Sequence, residues 1–289
     1  MPTFADSIAW GAVDQSRAPD PALSPEVKRR RANSFGQAAS QYERHRPGPP
    51  ADAVDWLLPR GADTVLDLGA GTGALTRLLV DRADRVIAVE PDERMRAVLA
   101  GEVVGATVLE GRGESLPVDD GVADAVLASS SWHWVEPGPA LREVARVLKP
   151  GGFLGAIWAG PDQESPFMVQ AQALLGEIGR DEPIAGPASE TIDAISTERY
   201  RSMATLQIPD GLPFSDPVQI GFRRELSLTA DDLIGLLGTL SWVILKEPEE
   251  REALFSTARR LLRDALGVEG DATVDLTFRC DTYRSDLLG

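Results

Sequence analysis

The stretch VLDLGAGTGALT, residues 65–76, decides the fold. Its first residues are apolar and read as the end of a buried strand, TVLDL (64–68), broken only by the acid Asp67. Glycines follow at 69, 71 and 73, and a helical pattern is predicted over 72–81. Glycine at this density lets a backbone turn tightly and approach a ligand without a side-chain clash. A helix that opens just after such a turn offers unpaired N–H groups and a positive dipole end.

Outward from this point, strands and helices alternate. RVIAVE (85–90) reads as a strand and 92–100 as a helix. ATVLEG (106–111) and ADAVLASS (123–130) read as strands, with a helix over 138–148. Lys149-Pro150-Gly151-Gly152 reads as a turn before the strand FLGAIW (153–158). Strands separated by helices imply a parallel, doubly wound α/β sheet. Near-continuous apolar strands agree, because both faces of such a sheet are covered. Upstream, an amphipathic helix is predicted over 26–44, with Phe35, Ala38, Ala39 and Tyr42 on one side. RPGPP (46–50) breaks it, and a second helix follows over 50–58. Downstream, helices are predicted over 165–178, 230–240 and 248–266, and strands over 218–226 and 272–278. Residues 180–215 read as a loop or part of a cap.

The composition excludes several classes. The chain has 289 residues, of which 43% are hydrophobic, enough for a large core. Its formal charge is −16, which repels polyanions and argues against nucleic acid as a partner. The basic run 28–31 reads first as a solvated helix start. No apolar run is long enough to span a bilayer, and MPTFADSIAW lacks a basic leader followed by an apolar segment, so no secretory signal is expected. The lone Cys280 cannot close an internal disulfide, and with His45 and His133 it has no metal-ligand spacing. A cytoplasmic protein without a metal, as monomer or homodimer, is the expectation.

Ligands of a parallel sheet bind beyond the carboxyl ends of the strands, where strand order reverses. The glycine loop is placed there. Glu90 ends the second strand about twenty residues on, where a carboxylate can accept both hydroxyls of a ribose. These residues read as a site for an adenosine-containing cofactor. They also satisfy the permissive dinucleotide pattern, with Ala74 as the last small residue, but no Gly-Lys-Ser/Thr follows to make a P-loop.

Five segments in order resemble the motifs of the class I S-adenosylmethionine-dependent methyltransferases, across roughly residues 35–160: VLDLGAGTG (65–73), AVEPDERM (88–95), EGRGESLP (110–117), DAVLASSSWHWV (124–135) and LREVARVLKPGGFL (141–154). YERHRPGPP (42–50) and SSSWHWV resemble the small-molecule branch that includes trans-aconitate methyltransferases. GTLSWVILKEPEER (238–251) resembles the tail of many bacterial members. The resemblance implies a seven-stranded, mostly parallel sheet with the last strand antiparallel, N-terminal lid helices and a C-terminal helical cap insertion. The implied organisation is a loose arm over 1–24, lid helices over 25–60, a cofactor-binding core over 61–160, and over 161–289 the rest of the sheet with a substrate-side cap.

The resemblance also implies roles. The cofactor is S-adenosylmethionine, leaving as S-adenosylhomocysteine. Asp67, Gly69, Ala70, Gly71 and Gly73 would hold the methionine half, and Glu90 the ribose. Pro91 and Met95 would flank the adenine, with Gly113 and Glu114 at its edge. Arg112 stands where many relatives carry an acid for the adenine amino group. Ser129 and Ser130 would lie beneath the sulfonium. Tyr42 and Arg46 would close over the cofactor from the lid, Arg46 holding a carboxylate of cofactor or substrate. His133 is the candidate general base; the alternative is a packed, hydrogen-bonded histidine. Trp132 and Trp134 would wall an apolar pocket. The expected activity is methyl transfer to a small-molecule acceptor, by O-methylation of a carboxylate or a hydroxyl. A carboxylate needs no base, whereas a hydroxyl would recruit His133. The absence of an Asn/Asp-Pro-Pro-Tyr run at the fourth strand argues against methylation of adenine or glutamine nitrogen. Two alternatives remain: a cofactor-binding helper or regulatory module that does not methylate, and a nicotinamide oxidoreductase.

Overall fold

The computed structural model of the chain describes residues 8–9, 30, 34–58, 62–171 and 204–289. Its strands are β1 (Ile8–Ala9), β2 (Ala62–Leu68), β3 (Ala83–Val89), β4 (Ala106–Leu109), β5 (Ala123–Ser129), β6 (Leu148–Pro161), β7 (Val218–Thr229) and β8 (Thr273–Asp286). They form one sheet in the order β1-β7-β8-β6-β5-β2-β3-β4. From β4 to β6 every pairing is parallel. β8 runs antiparallel to both β6 and β7. This is the expected seven-stranded sheet with its last strand reversed. The two-residue β1 adds an antiparallel edge on β7, within the segment read as a loose arm. The chain winds from β2 to β4 in one direction and returns to β5 on the other side of β2, so strand order reverses between β2 and β5.

Both faces of the sheet are buried over β2, β3, β5 and β6, which explains their unbroken apolar runs, whereas β7 carries no buried residue. On one face Leu66, Val126 and Leu154 pack against Leu141, Val144 and Val147 of helix α5 (Pro137–Val147). On the other, Val65, Leu127 and Ile157 meet Val54 and Leu57 of helix α2 (Ala51–Leu57). Fully buried leucines such as Leu57 and Leu141 each contribute about 1.5–3 kcal/mol relative to exposure. The predicted turn at 149–152 is a bulge within β6. Ala123 pairs with Leu148 and Ala125 with Phe153, so the residues between are looped out, with Gly151 left-handed at φ 79°.

Three short elements come first or lie near the glycine loop: helix α1 (Ala39–His45), preceded by a 3-10 turn at Phe35–Ala38, then α3 (Thr76–Leu79) and α4 (Glu93–Glu102). The predicted helix over 26–44 is therefore two pieces where it is described. Of the basic run 28–31 only Arg30 is described, exposed and helical. Between β7 and β8 the chain inserts helices α6 (Ala230–Gly238), α7 (Ser241–Ile244) and α8 (Pro248–Leu266). Capping sets their limits. Thr229 and Asp232 form a capping box at α6, Glu247 and Glu250 another at α8, and left-handed Gly267 ends α8. α6 packs on α1, with the His45 ring in the space a Cβ on Gly235 would take. A helix occupies 166–171; the rest of the helix predicted to 178, and 180–203 of the loop-or-cap segment, lie outside the described residues. Residues 204–215 form no regular element, yet Leu206 and Phe214 are buried in the core. Among the described residues no helix is long and apolar enough to cross a membrane.

Candidate active site

The loop after β2 sits at the strand-order reversal. Gly69, Gly71 and Gly73 have φ of 67°, 58° and 97°, a conformation that side chains disfavour. A Cβ on Gly69 would stand 2.6 Å from the Ser131 Cβ, so the loop passes close beneath the exit of β5. The Gly69 and Ala70 N–H groups donate to the Val89 carbonyl at 2.8 and 3.1 Å, pinning the loop to the tip of β3. The helix predicted over 72–81 is corrected to Thr76–Leu79. Left-handed residues cannot enter a right-handed helix, and the first helical bond is donated by Arg77 N–H to the Gly73 carbonyl. A helix this short supplies little dipole, so the loop works through its backbone and the adjacent acids.

Two carboxylates flank the loop. Asp67, at the end of β2, is 1% exposed. Its Oδ2 accepts from Thr76 Oγ1–H at 2.6 Å, and its Oδ1 has no partner among the described residues. Burial pushes its pKa up to about 7, against the Thr76 hydrogen bond, with Glu90 adding repulsion. Glu90, beyond β3, accepts one backbone N–H on each oxygen, from Gly71 to Oε2 and from Asp92 to Oε1, both at 2.9 Å. Burial raises its pKa too, while those two N–H groups hold it back.

A single cavity brings together every predicted cofactor residue except Gly73: Tyr42, Arg46, Asp67, Gly69, Ala70, Gly71, Glu90, Pro91, Met95, Gly113, Glu114, Ser129 and Ser130 all line it. The missing Cβ of Gly73 instead makes room for Leu99 and Val103. The lid closes one side through Phe35, whose ring meets Tyr42 at 5.7 Å and Trp134 at 5.6 Å. The Arg46 guanidinium lies 5.5 Å from the Tyr42 ring. Gly36 abuts the Asp92 carboxylate, which would have to shift to admit a side chain there. Glu114 lines the cavity but its Oε1 accepts from the Glu136 N–H at 2.6 Å, capping α5.

At the tip of β5, Ser130 is left-handed at φ 51°, an uncommon state for a residue with a side chain. Ser131 Oγ–H donates to the Leu68 carbonyl at 2.5 Å and ties β5 to β2. His133 does not line the cavity. Its Nδ1 accepts from Trp158 Nε1–H at 3.1 Å. Indole nitrogen only donates, so that bond places the proton of neutral His133 on Nε2. Of the two tryptophans read as pocket walls, Trp134 lines the cavity and Trp132 is 4% exposed in the core. Residues not singled out from the sequence also line it, among them Pro47, Gly48, Pro49, Thr72, Asp92, Gly111 and Ala159. The RPGPP break was the signal for the first three; Ala159 carries none, because only the strand order brings β6 there.

A family model described as a methyltransferase domain matches residues 66–156. An uncharacterized methyltransferase of Mycobacterium tuberculosis is 39% identical over 229 residues, covering 79% of this chain and 85% of that protein. An uncharacterized methyltransferase-like protein of Schizosaccharomyces pombe is 25% identical over 258 residues, covering 88% and 95%. A solved protein from Anaeromyxobacter dehalogenans, described as a type II methyltransferase, shares the fold with a TM-score of 0.55 at 21% identity, covering 84% of this chain and 98% of that one. The glycine loop and its strand-tip acids thus stand within a sequence likeness that spans most of both proteins, and the chain belongs to the class I methyltransferases.

Proposed function

We propose that the protein transfers a methyl group from S-adenosylmethionine to a small-molecule acceptor. The observation that carries this reading is Asp67 Oδ1, a buried acceptor in the cavity wall with no partner among the described residues. Such an atom is unfavourable unless a ligand supplies a proton donor, and the ammonium of the donor's methionine half is one. Glu90 has accepting capacity left on both oxygens for the ribose hydroxyls. The glycines leave space for the backbone to approach, and Pro91 and Met95 offer flat apolar contact at the adenine end. Glu114 Oε1 is engaged by the Glu136 N–H and the Arg112 backbone by Ser115, so Glu114 Oε2 and the Gly113 backbone are the sources of polar contact there.

When bound, the sulfonium supplies an electrophilic methyl group. The chain's own residues would align the acceptor and exclude water. Phe35, Tyr42 and Trp134 make the aromatic wall that does the excluding. With Nδ1 of His133 engaged by Trp158, its other nitrogen is a donor, which supports an acceptor that needs no base. A carboxylate meets that condition better than a hydroxyl. The surplus of negative charge supports a small molecule over nucleic acid.

The test is calorimetric titration with S-adenosylmethionine, S-adenosylhomocysteine and NAD. Binding of the first two alone is expected, with Glu90→Gln weakening it by about 1.5–3 kcal/mol, the worth of a hydrogen bond to a charged group. Binding of NAD alone would sink the reading. Catalytic turnover by the bound complex separates a methyltransferase from a helper that only binds.

A further inference from the structure

The cavity extends past Ser129 and Ser130 to Ala159, near the end of β6. Ala159 pairs with Cys280 of β8, and Cys280 with Phe222 of β7. One rung further, Pro161, Phe278 and Arg224 are paired in the same way. Residues two apart on a strand share a face, so Arg224 stands on the Ala159 side of the sheet. Its Nη2–H donates to the Gly48 carbonyl at 3.0 Å, and Gly48 lines the cavity. The guanidinium is therefore directly behind the cavity wall.

Its charge is uncompensated. Arg223, Arg279 and Arg284, on the same two strands, each hold a carboxylate at 3.0, 2.9 and 2.9 Å. Arg224 holds none among the described residues, in a chain with 45 acidic side chains. It is half-buried, and burial lowers its pKa, with only the Cys280 thiol acting the other way. A guanidinium has five N–H donors, and a single backbone carbonyl is a poor match for it. Arg46 is a second half-buried guanidinium without a carboxylate among the described residues, and it lines the cavity beside Tyr42. S-adenosylmethionine brings one carboxylate, which one guanidinium can hold through two parallel hydrogen bonds. Arg46, which lines the cavity from the lid, is the arginine placed to hold that group. A second anion is left for Arg224.

We propose that Arg224 binds a carboxylate of the methyl acceptor, turning from the Gly48 carbonyl to make a bidentate pair, so that the enzyme selects anionic acceptors. This rests on the S-adenosylmethionine reading. The test uses the full chain saturated with S-adenosylhomocysteine, titrated with benzoate and with its uncharged counterpart benzamide. Wild-type protein is expected to bind benzoate at least about tenfold more tightly, the scale of one charge-assisted hydrogen bond. Arg224→Gln keeps an N–H donor for Gly48 but removes the charge. It should abolish the preference while leaving S-adenosylhomocysteine affinity within about twofold, and Arg224→Lys should restore part of the preference. Equal or undetectable binding of the two probes by wild type, or a preference that survives in Arg224→Gln, overturns the proposal. So does a tenfold loss of S-adenosylhomocysteine affinity in Arg224→Gln, which would move the arginine to the donor's own carboxylate. A wild-type chain that binds no S-adenosylhomocysteine fails at the first step, and the donor reading falls with it.

Discussion

Asp67 concentrates the chemistry of the site in one side chain. Its folded pKa of about 7 lies above the unfolded value near 3.9. Between those two pH values the folded chain keeps a proton that the unfolded chain has lost. The contribution of Asp67 to stability therefore falls as pH rises from about 4 to about 7. Asp67→Asn should flatten that part of the stability profile, as read by urea unfolding at pH 5 and pH 8. An ammonium beside Oδ1 favours the ionised acid, so S-adenosylhomocysteine binding near pH 6.5 should release a proton. Calorimetry in buffers of different ionisation enthalpy measures this, and no buffer dependence would remove the ammonium from Oδ1. Ser130 offers a second residue-scale test. Its left-handed backbone costs about 1–2 kcal/mol, and glycine relieves this while losing about 0.5–1 kcal/mol to unfolded-chain entropy. Ser130→Gly should leave the protein equally stable or up to about 1.5 kcal/mol more stable, whereas Ser130→Ala keeps the strain and gains nothing. The place of Asp67 and Glu90 beside the cavity was legible because each stands at a strand tip. The hydrogen bonds of Glu114 and His133 were not, because their partners Glu136 and Trp158 come from elsewhere in the chain.

At the scale of elements, local signals placed the regular pieces and tertiary contacts trimmed them. α8 begins at Pro248 and ends at Leu266, as the sequence predicts, because a proline start and a glycine stop mark both ends. α3 lost its first turn to left-handed glycines whose conformation serves the loop, not the helix. The seating of the lid had no local signal at all. Gly235 of α6 reads as an ordinary helical glycine, yet the His45 ring of α1 fills the space beside it. A methyl group there would overlap the ring, so the His45 ring must turn away or α1 must shift for Gly235→Ala to fold. Overpacking of this kind costs about 1–3 kcal/mol. Because α1 carries Tyr42 to the cavity, the same variant should weaken S-adenosylhomocysteine binding. Thr229→Ala is the control: it removes the cap of α6, at about 1 kcal/mol, without pressing on the lid. Equal ligand affinity in the two variants would show that the cap does not seat the lid.

Across the whole molecule, the ligand site is the place where the fold is least satisfied by itself. Among the described residues Asp67 Oδ1 lacks a partner and Arg224 holds no carboxylate, and Glu90 is an acid whose pKa burial raises. The place of the glycine loop at a reversal of strand order was legible from the alternation of strands and helices, and the order itself comes from the structure. The contribution of β7 was not, because Arg224 is 176 residues from Gly48 and no local pattern joins them. A molecule built this way gains stability by binding. Ligand at about one hundred times its dissociation constant stabilises the folded chain by about 2.7 kcal/mol if it ignores the unfolded one. For a chain somewhat above 250 residues this corresponds to a rise in Tm of about 5 °C. S-adenosylhomocysteine should produce that rise in differential scanning calorimetry, and the rise should grow with the logarithm of ligand concentration. Asp67→Asn should start from a higher Tm at pH 8 than wild type and rise less with ligand, because it no longer buries an acid in need of a donor. A variant that instead starts lower would mean that the Asp67 carboxylate holds the loop through Thr76 more than it waits for a ligand.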